Sequence, residues 1–314
     1  MAKFQPSVQT LRCFVMVGRE RSISKAVAKL HLSQSAVSLQ LKNLEQMLGF
    51  TLLHRTPQGL VLTGSGQALL GHAEAFLDAA ETFSSAAASL GGTIEQVLRI
   101  GTILDSDFIQ LGGLLNGLAE LAPGLRIELR HGMSDDALAR VARRELDVGF
   151  YLDSPENAAP IGPATLDATG KAQHFHVLPL KRFVYRVAAP AGWEQQVLGK
   201  DWRCLAQLPW LSTPAASAHR RLLKGVFDPL EIDPRRSAAV DKEDSALDML
   251  IAGAGLSLVR EDVAQRESKL RQFVIADKVK LECVLSFMCL ESRRSEPPIA
   301  AAWEALERAW RSST

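Results

Sequence analysis

The chain has 314 residues, 23% charged and 47% apolar, with a formal net charge of +1, a profile that fits a globular protein with two or three cores. No apolar run approaches the roughly 18 residues that span a bilayer, and MAKFQPSVQTLRCF lacks the apolar core of a secretory signal, so a cytoplasmic protein is expected and a membrane partner is not. Cys13, Cys204, Cys283 and Cys289 are scattered without metal spacing, so reduced thiols, no metal and no cofactor are expected. The charge is uneven. Residues 1–62 hold eight basic side chains against two acidic ones, a balance of +6, which leaves about −5 for the rest. A basic head of that size suits contact with phosphates.

Val8, Leu11, Phe14 and Val15 follow helical spacing and predict a first helix from near Pro6 to about Gly18. Ser22 can cap a second, with Ile23, Ala26, Val27 and Leu30 inward. After the corner His31-Leu32-Ser33, Ser33 is the expected N-cap of a third helix, with Leu32 and Val37 spaced as a hydrophobic staple. Val37, Leu41 and Leu44 form the inward stripe, which turns Ser35, Ser38, Leu39 and Lys42 outward and leaves Gln34 and Gln40 on the flanks. Two helices joined by a tight corner, the second with a polar outer face, make a helix-turn-helix. In a major groove Gln can pair with adenine and Ser with either class of base. The alternative is a helical hairpin whose Ser and Gln are merely hydrated. GFTLLHRTPQGLVLT then offers two short strands around Thr56-Pro57-Gln58-Gly59, with Pro and Gly placed for a type I turn. A hairpin there is a wing, and Arg55 and Gln58 on it would lie over the sugar–phosphate backbone or enter the minor groove. The expected DNA-contacting set is Ser33, Gln34, Ser35, Ser38, Gln40, Lys42, Arg55 and Gln58.

The succession Phe14, Ser22-x-Ser24-x-Ala26, Leu30-x-x-Ser33-Gln34-x-Ala36-Val37-Ser38, Leu44-Glu45, Leu48-Gly49, Leu53-x-Arg55 and Leu62-Thr63-x-x-Gly66 resembles the N-terminal domain of LysR-type transcriptional regulators. The resemblance implies a winged helix-turn-helix domain over residues 1–62 and double-stranded DNA as partner. Three positions depart from the family. Ser35 stands where Pro is usual, Val27 where a second Ala is common, and Leu39 where a basic or polar residue is frequent.

Thr63 can cap a long helix over residues 63–92 that ends at Gly91-Gly92. Within it Leu69, Ala73, Phe76, Ala80, Phe83, Ala87 and Leu90 step by four and three, a heptad seam. One apolar stripe without a further layer needs a partner, either a second copy or another part of the same chain. The resemblance implies that such linker helices pair subunits, giving a homodimer or homotetramer.

From Val97 strands alternate with helices: VLRIGTIL, helix 108–121, LRIELRHG, helix 135–144, LDVGFYL, then strands at HVLPL, RFVYRVAA, PWLST, GLSLV and VLSFMCL and helices near 217–227, 243–252 and 296–311. That grammar predicts an α/β fold with parallel sheets covered on both faces. Leu98-Arg99-Ile100-Gly101, Pro123, Glu145-Leu146-Asp147 and Gly253-x-Gly255 are similar to the family's effector domain. The implied fold has two periplasmic-binding-protein-like lobes over residues 93–314, lobe one about 93–180 and 270–314 and lobe two about 181–269. The chain should cross near Lys181–Arg186 and return near Leu270. A small-molecule effector would sit at strand ends beside helix starts, where the chain offers Thr102, Asp105, Ser106, His131, Ser134, Tyr151, Ser212, Thr213 and Arg260. Ser106 and Ser134 also read as N-caps. Arg260, where the family usually has Pro, could bind an anion or be an exposed strand end. Asp105 and Arg260 on facing lobes would suit a ligand of both signs, while Asp105 and Asp107 could equally complement a helix starting at Ser106.

Enzyme signals are weak. Gly64-Ser65-Gly66 lacks the strand that a nucleophile elbow requires, and Gly253-Ala254-Gly255 lacks the third glycine of a dinucleotide loop. His174 and His176 share a strand face but have no third ligand close in sequence. Cys283 and Cys289 would stand roughly 20 Å apart on an extended strand, too far for a disulfide. The peroxide-sensing members of the family use a cysteine pair in the second lobe, which here holds Cys204 alone, so thiol sensing is not expected. The sequence therefore predicts a ligand-responsive transcriptional regulator and not an enzyme. An architectural DNA-binding protein without ligand, or an enzyme built on the two lobes, are the alternatives.

Overall fold

The computed structural model describes residues 6–30, 32–56, 59–91, 96–156 and 173–311. They divide into two compact units, one made of the residues up to Gln96 together with Gln173, the other of the rest from Val97 on.

The first unit holds α1 (Val8–Glu20), α2 (Ile23–Leu30), α3 (Gln34–Leu48), a hairpin of β1 (Leu53–Thr56) and β2 (Gly59–Leu62), and α4 (Gly64–Gly91). Caps begin the helices as expected. Ser33 Oγ accepts from Ala36 N–H at 3.1 Å, Ser22 Oγ from Lys25 N–H at 3.4 Å and Thr63 Oγ1 from Gly66 N–H at 2.9 Å. Cys13, Phe14, Val17, Ala26, Val37, Leu44 and Leu52 form the core. Glu45 fastens the hairpin to α3, one carboxylate oxygen accepting from Leu52 N–H at 2.7 Å and Leu53 N–H at 3.2 Å. At Gly66 a Cβ would stand 2.1 Å from the Leu52 carbonyl oxygen, so α4 can start there only with glycine.

The second unit opens with β3 (Val97–Thr102), α5 (Leu111–Leu121), β4 (Arg126–His131), α6 (Ser134–Ala142) and β5 (Val148–Asp153). It continues through β6 (Phe175–Ala189), α7 (Glu194–Val197), α8 (Trp202–Leu205), β7 (Trp210–Ser212), α9 (Ala218–Phe227), β8 (Arg236–Ala239) and α10 (Glu243–Ile251). It closes with β9 (Ser257–Arg260), α11 (Glu261–Arg271), β10 (Val274–Leu290) and α12 (Pro297–Arg311). Among the described residues, six strands form a sheet in the order β4-β3-β5-β10-β6-β9, and β7 pairs with β8.

The sheet is mixed, which corrects the expectation of parallel sheets. Parallel pairing is confined, among the described residues, to β4-β3-β5, β7-β8 and the Trp210–Leu256 bridge; β10 runs antiparallel to β5 and β6, and β6 to β9. The cause is the crossover. β6 and β10 are long strands that carry the chain between lobes in opposite directions. HVLPL and RFVYRVAA are thus one strand, with Pro179 admitted at a register shift opposite Leu285–Ser286, where a missing N–H is tolerated. The expected return near Leu270 falls inside α11. β10 is still paired with the second-lobe half of β6 at Val274 and meets β5 only from Val284 onward.

Candidate functional site

On α3, Gln34, Ser35, Ser38, Leu39 and Lys42 are exposed, Leu39 by 57%. Ser33 is exposed too, but its hydroxyl serves as the cap and lies 3.0 Å from Ser35 Oγ. Gln40, expected on the flank and among the DNA contacts, is half-buried, and its carbonyl oxygen accepts from the hydroxyl of buried Thr10 on α1. A buried hydroxyl needs such an acceptor, so this residue ties two helices together. The side chain of Arg55 and all of Gln58 lie outside the described residues.

The first turns of α4 pack on α1, where Arg19 and Glu74 pair at 2.8 Å. Leu70 and Ala73 belong to the head core, with Leu69 and Leu77 packed against it. Ala73 is therefore covered within the chain, a correction to its place in an intersubunit seam, while Leu69 is only partly buried. Further along, Phe76 is 50% and Phe83 75% exposed, and Ala80 is partly buried. The side chains of Ala87 and Leu90 lie outside the described residues.

Between the lobes of the second unit is a cavity of about 1010 Å³. Lobe one contributes Asp105, Phe108, His131 and Ser134, lobe two Thr213, His219, Glu243 and Arg260, and the crossing strand Lys181 and Tyr185. Arg260 is not an exposed strand end. Only 5% of it is exposed, its Nη1 is 2.7 Å from Asp105 Oδ2, its Nε is 3.4 Å from Asp262 Oδ1, and its guanidinium carbon lies 4.0 Å over the Phe108 ring. The Asp105 pair spans the lobes. Partial burial works against Asp105 ionising, but the Phe108 N–H, at 2.8 Å, and Arg260 outweigh it and hold the carboxyl below its usual range.

Deeper in the cleft, the Tyr185 hydroxyl donates to Glu243 Oε1 at 2.8 Å, and His219 Nε2 lies 3.2 Å from the same oxygen. Burial opposes the charge on Glu243, yet His219, Arg260 and Tyr185 together keep its carboxyl below the ordinary value. The Tyr185 phenol is pushed up, first by burial and then by Glu243, so it stays a donor. Phe108, Phe183, Tyr185 and His219 form a run of edge-to-face rings with centroids 4.5–5.1 Å apart.

Of the residues expected here, Asp105, His131, Ser134, Thr213 and Arg260 line the cavity. Ser134 does so as a fastener and not as an N-cap: its buried hydroxyl donates to Leu152 O and accepts from Leu152 N–H. The others are displaced for physical reasons. Thr102 is buried 3.5 Å from the His131 ring. Ser106 is exposed in a turn, since α5 starts only at Leu111. Tyr151 is buried, donates to Asp153 and packs under Arg221. Ser212 donates to Ala238 O and lines a small hollow with Trp210 and Phe227. Sequence reasoning missed Phe108, Lys181, Tyr185, His219 and Glu243. The alternation Lys181, Phe183, Tyr185 along one strand face was the available signal.

His176 pairs with Glu291 at 3.1 Å and packs on Trp303. Among the described residues no group of three His, Cys, Asp or Glu is arranged to hold a metal ion, and no helix is long and apolar enough to cross a membrane. Cys283 is buried, and that burial pushes its thiol up to about 12.

Residues 8–67 match the model of the bacterial regulatory helix-turn-helix protein, lysR family, and residues 91–311 match the LysR substrate binding domain. The HTH-type transcriptional regulator CfxR of Cupriavidus necator is 27% identical over 255 residues, 81% of this chain and 75% of that protein. Among solved structures, ArgP from Mycobacterium tuberculosis has a TM-score of 0.63 at 21% identity, covering 98% of each chain. Full-length CbnR complexed with its target DNA gives 0.52 at 21% identity, over 96% of this chain and 99% of that one. With a winged helix-turn-helix at one end and a two-lobed domain enclosing a cleft at the other, the chain belongs to the LysR family and is a DNA-binding transcriptional regulator that responds to a small-molecule effector.

Proposed function

We propose that Gln34, Ser35, Ser38, Leu39 and Lys42 enter the major groove while Arg55 and Gln58 lie on the backbone, and that two copies join through the later part of α4. The exposed face of α3 carries this reading. Ser and Gln there can bond base edges, and Leu39 is suited to a thymine methyl group, the apolar feature of that groove. Phe76 and Phe83 support pairing, since large apolar side chains repeating at heptad spacing favour a partner helix. A homodimer or homotetramer would then span linked half-sites. The effector occupies the interlobe cleft, among Asp105, His131, Thr213, Tyr185, Glu243 and Arg260. The protein works in the cytoplasm and catalyses no reaction. The test is selection of bound duplexes from a random pool, followed by competition with unselected DNA. Failure to enrich a sequence would mean that α3 does not read bases and would favour an architectural role.

A further inference from the structure

The effector cleft contains a buried cation, tied across the lobes to a half-exposed carboxylate, and an excess of acid. Arg260 is 5% exposed and faces the cavity, its Nη1 held by Asp105 Oδ2 at 2.7 Å across the lobes and its Nε only loosely approached by Asp262 Oδ1 at 3.4 Å. Around it the lining carboxylates outnumber Lys and Arg by eight to five. A carboxylate is the group that matches a guanidinium, so a ligand carboxylate can take the place of Asp105 on Arg260. A purely anionic ligand would deepen the negative excess and cover Asp105, which is half exposed at 51%. A purely cationic ligand that took Asp105 would leave Arg260 buried and short of its interlobe partner. Stranding a buried charge in this way is strongly unfavourable.

A ligand carrying both signs avoids both penalties. It can insert between Asp105 and Arg260, exchange one ion pair for two, and leave the net charge of the cleft unchanged. We propose that the effector is an amino-acid-like zwitterion whose carboxylate binds Arg260 and whose ammonium binds Asp105. This rests on the cleft being the effector site, and it makes the interlobe ion pair the element that the ligand remodels.

Thermal-shift and calorimetric titration of the full chain with the twenty amino acids would test it. Each binder is compared with its des-amino acid and its decarboxylated amine. At least one amino acid should raise the unfolding midpoint, and both singly charged analogues should bind at least tenfold more weakly. Arg260→Met should remove the preference for the amino acid over its amine, and Asp105→Asn the preference over its des-amino acid. The proposal is overturned if no amino acid shifts the midpoint, or if a singly charged analogue binds as tightly as its parent. Gly132→Trp, at a lining position with open space beyond its α-carbon, separates the two levels. Binding that survives the tryptophan refutes the cleft as the site, whereas binding that disappears without charge selectivity refutes only the zwitterion.

Discussion

Gln34 and Ser38 are a helical turn apart on the exposed face of α3, so either can be truncated without opening the head core. Gln34→Ala and Ser38→Ala should each cost about 1–3 kcal/mol at a selected site and leave the unfolding midpoint and the affinity for random DNA unchanged. Fluorescence anisotropy on both duplexes checks this, and an equal loss on each would remove these residues from sequence reading. Leu39 calls for a different probe, because its expected contact is a methyl group. Replacing the thymine it meets by deoxyuracil should weaken the wild type and have no effect on Leu39→Ala. At this scale the polar face was legible in the sequence because Val37, Leu41 and Leu44 fix the inward stripe. Gln40 was not. Its carbonyl is claimed by Thr10, thirty residues away, and helical spacing carries no information about such a partner.

Along α4 the same apolar period serves two purposes, which explains how the seam could be legible as a pattern yet partly misplaced. Leu69 and Ala73 repeat in step with Phe76 and Phe83, but Ala73 lies in the head core and Leu69 packs against it. A heptad records that a stripe is buried and says nothing of what buries it. Phe76→Glu combined with Phe83→Glu should therefore separate subunits while the head stays folded, because neither phenylalanine belongs to its core. Charges in an apolar seam lose hydration without finding partners, and affinity for a linked operator should fall as the two heads become independent. Light scattering that shows the oligomer intact would place the subunit contact elsewhere. Leu70→Glu should do the reverse and unfold the head, since its side chain is 5% exposed in that core.

Across the whole second unit, the alternation of strands and helices was legible but the direction of β6 and β10 was not. Their pairing joins residues about 100 positions apart, such as Lys181 and Leu285, and local pattern cannot show it. The same distance hides the interlobe ties. Besides Arg260–Asp105, Arg221 on α9 donates to Leu152 O and pairs with Asp135 and, at 3.4 Å, with Asp153. The two arginines should differ in what their loss costs. The Asp153 side chain is 9% exposed, so Arg221→Met removes a cation from beside a buried carboxylate and cuts the tie to Leu152 O, an expected loss of about 3 kcal/mol. Asp105 and Asp262 are 51% and 54% exposed, so after Arg260→Met water can solvate both, and buried Glu243 keeps His219 and Tyr185 as partners; the cost should be smaller than that of Arg221→Met. Urea unfolding of the two variants measures the difference. Arg221→Met should lower the midpoint clearly and Arg260→Met little, which fits Arg221 as a fixed fastener between lobes and Arg260 as the one free to change partners. The opposite ranking would make Arg260 the structural tie and leave no ion pair in the cleft for a ligand to displace.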